Sequence, residues 1–256
     1  MKPVRSLPQV IEMLREERDM TRYDIPRSDL SRLAVLSGVI GTENALDGIE
    51  SGHLGDELLA QVVAHYALFS AADVELTAAA SDRKNKTAVA AAAVARLQMF
   101  VRHIWTNVHN RYLRQGQNQA ILTYYQLTIN GRRPQPSNRE LWMGMAWSVI
   151  HGESAAIANG YVPIAEPTIA ELEVVLTEAE TAVTATYTAD AAHDEAQAAV
   201  AALRPRAMEL IREIRATVIF STRLMDAPSQ RRILRHYGSS YRQPAKKKEQ
   251  AAMNNS

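Results

Sequence analysis

The side chains that could do chemistry are few and widely spaced. His65 stands beside Tyr66, and Asp73 follows two helical turns later, so a polar site in a helical core would draw on these three. Glu50-Ser51-Gly52-His53 and Asp190-Ala191-Ala192-His193 have the carboxylate-x-x-His spacing of di-iron helix bundles. Such a centre needs carboxylates and histidines from several helices, so no metal site is expected. His103, His109, His151 and His236 are scattered. No Ser/His/Asp arrangement and no glycine-rich phosphate loop can be read from the spacing. Neither a catalytic residue nor a cofactor is expected, and the balance leans away from an enzyme.

The elements that would position these residues follow from an internal repeat. At a shift of 110 residues, Val39, Ile40 and Glu43 fall on Val149, Ile150 and Glu153. Arg96, Arg102, Ile104 and Val108 fall on Arg206, Arg212, Ile214 and Val218 at the same shift. Ile121, Leu122 and Tyr125 match Ile233, Leu234 and Tyr237 at 112. The register predicts two copies of one helical unit, at 22–134 and 135–244, with 1–21 before them and a basic, polar tail at 245–256. The expected fold is all-α, a pseudo-twofold bundle of two duplicated three- to four-helix units.

Each copy reads as three helices and a short fourth. The first runs near 28–47 with Ser28 as cap, and near 138–158 with Ser137 and Glu140 at capping-box spacing. The second begins after Asp56, with a seam of Leu59, Val62, Tyr66, Phe69 and Leu76. In copy two it begins after Pro167-Thr168, with Ile169, Leu172, Leu176, Ala179 and Val183. The polar run Ser81–Lys86, and His193-Asp194 in copy two, suggest a turn before the third helix, although one unbroken helix fits either point. The third seams are Leu97, Val101, Ile104, Val108 and Ala207, Ile211, Ile214, Val218. Alanine tracts at 88–95 and 196–202 favour helix and would let helix axes approach closely.

Arg96, Arg102, Arg206 and Arg212 recur in both copies, so they answer a shared need: a structural ion pair, or a shared anion site. Residues 6–20 form an amphipathic helix with Leu7, Val10, Ile11 and Leu14 on one side. It has no counterpart in the repeat, so its apolar side is expected to dock on a groove of its own bundle or on a partner.

Composition bounds the rest. With 256 residues and 46% hydrophobic content, the chain can bury a sizeable core. Net charge is +1, which argues against bulk attraction to nucleic acid or anionic membrane. There is no cysteine, which fits a reducing compartment, and no apolar run approaches membrane-spanning length. A cytoplasmic location with no membrane contact is expected.

Leu14-Arg15-Glu16-Glu17-Arg18-Asp19-Met20-Thr21-Arg22 resembles the opening of Xre-type helix-turn-helix repressors. Leu33-Ala34-Val35-Leu36-Ser37-Gly38-Val39 and Ile49-Glu50-Ser51-Gly52 resemble its middle and end. The resemblance implies a DNA-binding regulator with a degenerate motif, since the joining segments are longer than that family's and spacing is what sets the recognition helix. The basic run Arg231-Arg232-Ile233-Leu234-Arg235-His236, then Lys246-Lys247-Lys248, would add phosphate contacts.

The favoured expectation is a non-enzymatic structural or adaptor protein that binds another protein or itself. A DNA-binding regulator is the first alternative, and an enzyme or ligand carrier with a bundle-core site the second.

Overall fold

The structure, a computed structural model, describes residues 22–46, 52–116, 118–128 and 130–242. The described residues are overwhelmingly helical. In chain order they form β1 (Arg22–Asp24), α1 (Asp29–Leu46), α2 (Asp56–Gln115), α3 (Ala120–Tyr124), α4 (Arg139–Ala158), α5 (Ile169–Ser221), α6 (Ala227–His236) and β2 (Ser240–Arg242). The two strands pair antiparallel, Arg22 with Arg242 and Asp24 with Ser240.

Side-chain caps mark the helix starts. Ser28 Oγ accepts from the Ser31 N–H and Ser31 Oγ accepts from the Ser28 N–H, both at 3.1 Å, so two backbone donors are satisfied reciprocally. Thr168 and Glu171 make the same exchange before α5, at 3.2 and 2.7 Å. At α4 the cap is Asn138, which accepts from the Leu141 N–H at 2.8 Å. This corrects the expected Ser137/Glu140 box: asparagine caps as well as serine, and Glu140 pairs with Arg139 instead.

Neither expected turn exists. α2 is 60 residues long and runs through Ser81–Lys86, and α5 is 53 residues long and runs through His193-Asp194. The polar run contains no glycine or proline, and its side chains are exposed, so helix loses nothing there. Arg83 reaches Asp190 at 2.6 Å, and Ala88 to Ala93 continue the run with high helix propensity. Pro205 lies inside α5 without ending it. Of the tract at 88–95, Ala90 is buried while Ala91, Ala92 and Ala95 are exposed. Ala90, with the half-buried Ala93, packs in the core of unit 2.

The chain divides into two compact units: residues 1–74 with 198–256 (unit 1), and residues 75–197 (unit 2). The division falls inside α2 and inside α5, so each unit takes residues from both stretches read as copies. In unit 2, Leu97, Val101, Ile104 and Val108 of α2 pack with Trp142, Ala146 and Val149 of α4 and Leu172, Leu176 and Val183 of α5. Trp105 is buried and donates its indole N–H to the Tyr125 carbonyl at 2.9 Å. In unit 1 the buried residues include Leu36 and Val39 of α1, Val62 and Phe69 of α2, Ile211, Ile214 and Val218 of α5, and Leu234 of α6. The seam residues Leu59, Tyr66 and Leu76 are half-buried. No helix among the described residues is long and apolar enough to cross a membrane.

Candidate functional site

Each unit contains one buried carboxylate held the same way. In unit 2, Glu153 of α4 accepts the Ile164 N–H on Oε1 at 2.7 Å and the Tyr125 hydroxyl on Oε2. In unit 1, Glu43 of α1 accepts the Leu54 N–H at 3.1 Å and the Tyr237 hydroxyl at 2.7 Å, both on Oε1. All four side chains are buried. Burial, and then the hydrogen bond to the carboxylate, pushes both phenols well above the ordinary tyrosine value. The clasp ties the residue after a short helix, and a loop residue, to the helix that carries the glutamate. The offsets of 110 and 112 residues pair both the glutamates and the tyrosines, but shared identity does not reveal that they bond to each other.

The carbonyl one residue before each tyrosine is also placed alike. In unit 1 the His236 carbonyl accepts from the Thr42 hydroxyl at 2.8 Å. In unit 2 the Tyr124 carbonyl lies against Gly152, where a Cβ would overlap it. The residue after each tyrosine has a left-handed backbone, Gln126 at φ 61° and Gly238 at φ 76°.

The candidates singled out by spacing go elsewhere. His65 is buried, with Nε2 3.2 Å from the Leu203 carbonyl, and it does not bond to Tyr66 or Asp73, which are half-buried. Desolvation holds its pKa below the ordinary histidine value, against the pull of that carbonyl. Arg96 pairs with Glu178 at 2.6 Å, and Arg102 lies over the Trp142 ring at 5.1 Å. Arg206 pairs with Glu209 at 2.6 Å and Glu213 at 3.5 Å, and Arg212 is exposed. Arg96 and Arg102 belong to unit 2, and Arg206 and Arg212 to unit 1. Asp190 is taken by Arg83, and His193 faces Asp194 at 3.5 Å. Among the described residues no group of three or more His, Asp and Glu could hold a metal ion. Leu33–Val39 lies inside the single helix α1, with no turn at Ser37-Gly38. Leu7, Val10, Ile11, Leu14, Glu50 and Lys246–Lys248 lie outside the described residues.

Two grooves remain. In unit 1, α1 and α6 border one of ≈ 920 Å³, with Gly38, Gly41 and Ala45 on one side and Met225, Ile233 and Tyr237 on the other. Leu224 at its edge is 92% exposed, and Phe220 nearby in sequence is 66% exposed. His53 also lines it, edge-on to Tyr237, with Nδ1 3.2 Å from Ser221 Oγ. That hydroxyl also lies 3.0 Å from the Val218 carbonyl, its helical acceptor. In unit 2, a groove of ≈ 890 Å³ lies between α2 and the segment 133–142. Arg102, Arg133 and Arg139 line it. Arg133 and Arg139 come from a loop and a helix start outside the repeated motifs, so spacing did not single them out.

No protein-family model, curated protein or solved structure matches the chain.

Proposed function

We propose that the chain is a non-enzymatic helical scaffold, built from two copies of one helical unit, that works by binding another protein or a second copy of itself. The observation that carries this reading is the recurrence of the glutamate–tyrosine clasp. Glu43 and Glu153 are separated by 110 residues, Leu54 and Ile164 by 110, and Tyr237 and Tyr125 by 112, and the same three groups bond in each unit. The most deeply placed polar groups that the copies share are used to fasten elements together. Burial at offset positions supports the duplication too: Val39 and Val149, Val62 and Leu172, Val101 and Ile211, and Ile104 and Ile214 are all buried.

Support for a binding role is the apolar surface of unit 1, where Leu224 and Met225 line the α1/α6 groove and are exposed. Exposed apolar clusters of this kind mark contact surfaces more often than chance exposure. The apolar side of Leu7, Val10, Ile11 and Leu14 adds a second candidate contact.

The test compares the whole chain with one lacking residues 1–21, by thermal unfolding, light scattering and affinity capture from the native host. The expected result is an unchanged helical fold with weaker self-association or partner recovery. Unchanged assembly and unchanged recovery would remove the main support for the scaffold reading. Retention on duplex DNA that falls steeply with salt would replace it with the regulator reading.

A further inference from the structure

The two units differ at one corresponding place. In unit 1, Arg204 of α5 makes a bidentate pair with Asp29 at the start of α1, Nε to Oδ1 at 3.0 Å and Nη2 to Oδ2 at 2.8 Å, and Arg32 joins the same carboxylate at 2.7 Å. At the 110-residue offset, Val94 stands for Arg204 and Arg139 for Asp29. Valine and arginine cannot form that bridge, and the groove of unit 2 lies between them.

We propose that this groove binds an extended acidic peptide segment of a partner protein. The proposal rests on the duplicated-scaffold reading and names the partner's chemistry. Charge is the first argument. Arg102, Arg133 and Arg139 present three guanidinium groups, and the described lining residues include no carboxylate. Their own contacts leave donors available: Arg102 stacks on Trp142, Arg133 gives one N–H to Thr106, and Arg139 pairs through one N–H with the exposed Glu140 and lies over the Tyr187 ring. A guanidinium carries five donors and pairs with carboxylates in a fork geometry.

Shape is the second argument. The groove follows α2 from Thr87 to Trp105, about 27 Å at ~1.5 Å per residue. A strand at ~3.3 Å per residue fills that length with about eight residues. Its floor is methyl groups, Ala91 and Ala95, and amides from Gln98 and Gln135 reach it, which suits a peptide backbone. Pro134 and Pro136 fix the opposite wall, so less ordering is required on binding. Nucleic acid fits less well. Trp105 and Trp142 are 1% and 5% exposed, which leaves little ring face for base stacking.

The test uses a fluorescein-labelled octaglutamate peptide and a labelled oligothymidylate of similar length, with fluorescence anisotropy on the full chain. The expected result is salt-sensitive peptide binding. It should weaken at least about tenfold in the Arg133→Gln/Arg139→Gln double variant, which removes two charge-assisted contacts. Arg96→Gln, on the same helix but outside the groove, should bind as the parent does. Circular dichroism of each variant verifies folding. A second variant, Ala91→Trp, fills the floor without changing any charge and should also weaken binding. Tighter binding of the oligothymidylate, no peptide binding, or peptide binding unaffected by both groove variants would overturn the proposal. Loss of peptide binding alongside intact partner capture would sink this inference alone, whereas failed capture with intact peptide binding would sink the scaffold reading alone.

Discussion

Tyr237 donates its hydroxyl to Glu43 across 2.7 Å, and the two residues stand 194 positions apart in the chain. Its counterpart, Tyr125 on Glu153, spans 28 positions. The same chemistry therefore closes one unit locally and the other across most of the sequence.

The two clasps differ at the carboxylate, and that difference predicts unequal mutants. Glu43 receives both donors on one oxygen, so Glu43→Gln can keep both with its amide carbonyl. Glu153 receives them on separate oxygens, so Glu153→Gln turns an amide –NH2 toward either Tyr125 or the Ile164 N–H. One buried donor then loses its acceptor, which costs about 1–3 kcal/mol. Urea unfolding should find Glu153→Gln clearly less stable than Glu43→Gln. Equal losses would mean that the bonding pattern is not as described.

Alkaline pH should destabilise the protein through the same tyrosines. Both phenols sit above the ordinary value of 10.0, raised first by burial and then by the carboxylate bond. A folded-state pKa above the unfolded one means that the stabilisation is complete below pH 10 and is lost as pH rises beyond it, because only the unfolded chain releases the protons readily. Denaturant titrations from pH 8 to 11 should show stability falling at the top of that range. The fall should be shallower in the Tyr125→Phe/Tyr237→Phe variant.

Gly152 and Gly144 lie on one helix and should respond oppositely to alanine. A Cβ at Gly152 would overlap the Tyr124 carbonyl, a backbone atom that must move. The expected cost is about 1–3 kcal/mol from overpacking. A Cβ at Gly144 meets nothing within 4 Å, so Gly144→Ala should stabilise by about 0.5–1 kcal/mol. Melting temperatures of the two variants decide the point.

The apolar seams should carry core-like cost. Ile104 and Ile214 are 0% and 1% exposed, and truncating either to alanine should cost about 2–5 kcal/mol from lost transfer energy and a cavity. Near-zero loss at both would mean that these faces of α2 and α5 meet solvent.

Two helix starts and the seam faces were legible in the sequence because their causes are local, whereas α4 takes its cap from Asn138 and not from the expected Ser137. Ser28 and Thr168 cap where the residue types say they should, and the seams at Val101–Val108 and Ile211–Val218 are buried. The continuity of α2 through Ser81–Lys86 was not legible, because a polar run reads as a turn unless one knows that Arg83 finds Asp190. The Glu–Tyr partnerships were hidden for a different reason: an internal repeat says which residues correspond, and says nothing of which copy's tyrosine meets which copy's glutamate. The arginine-lined groove depends on where the loop at 133–138 lies, and no periodicity encodes that.

The division of the chain has a consequence for the order of events on the ribosome. Unit 2 is one continuous stretch, residues 75–197, and everything it needs emerges together. Unit 1 takes α1 from one end of the chain and Tyr237 from the other, so Glu43 waits, without its phenolic partner, through the synthesis of nearly two hundred further residues. During that interval the apolar side of α1 lacks α6. Vectorial synthesis thus leaves α1 unsealed until α6 emerges, and nascent chains are most exposed to premature association or chaperone capture there.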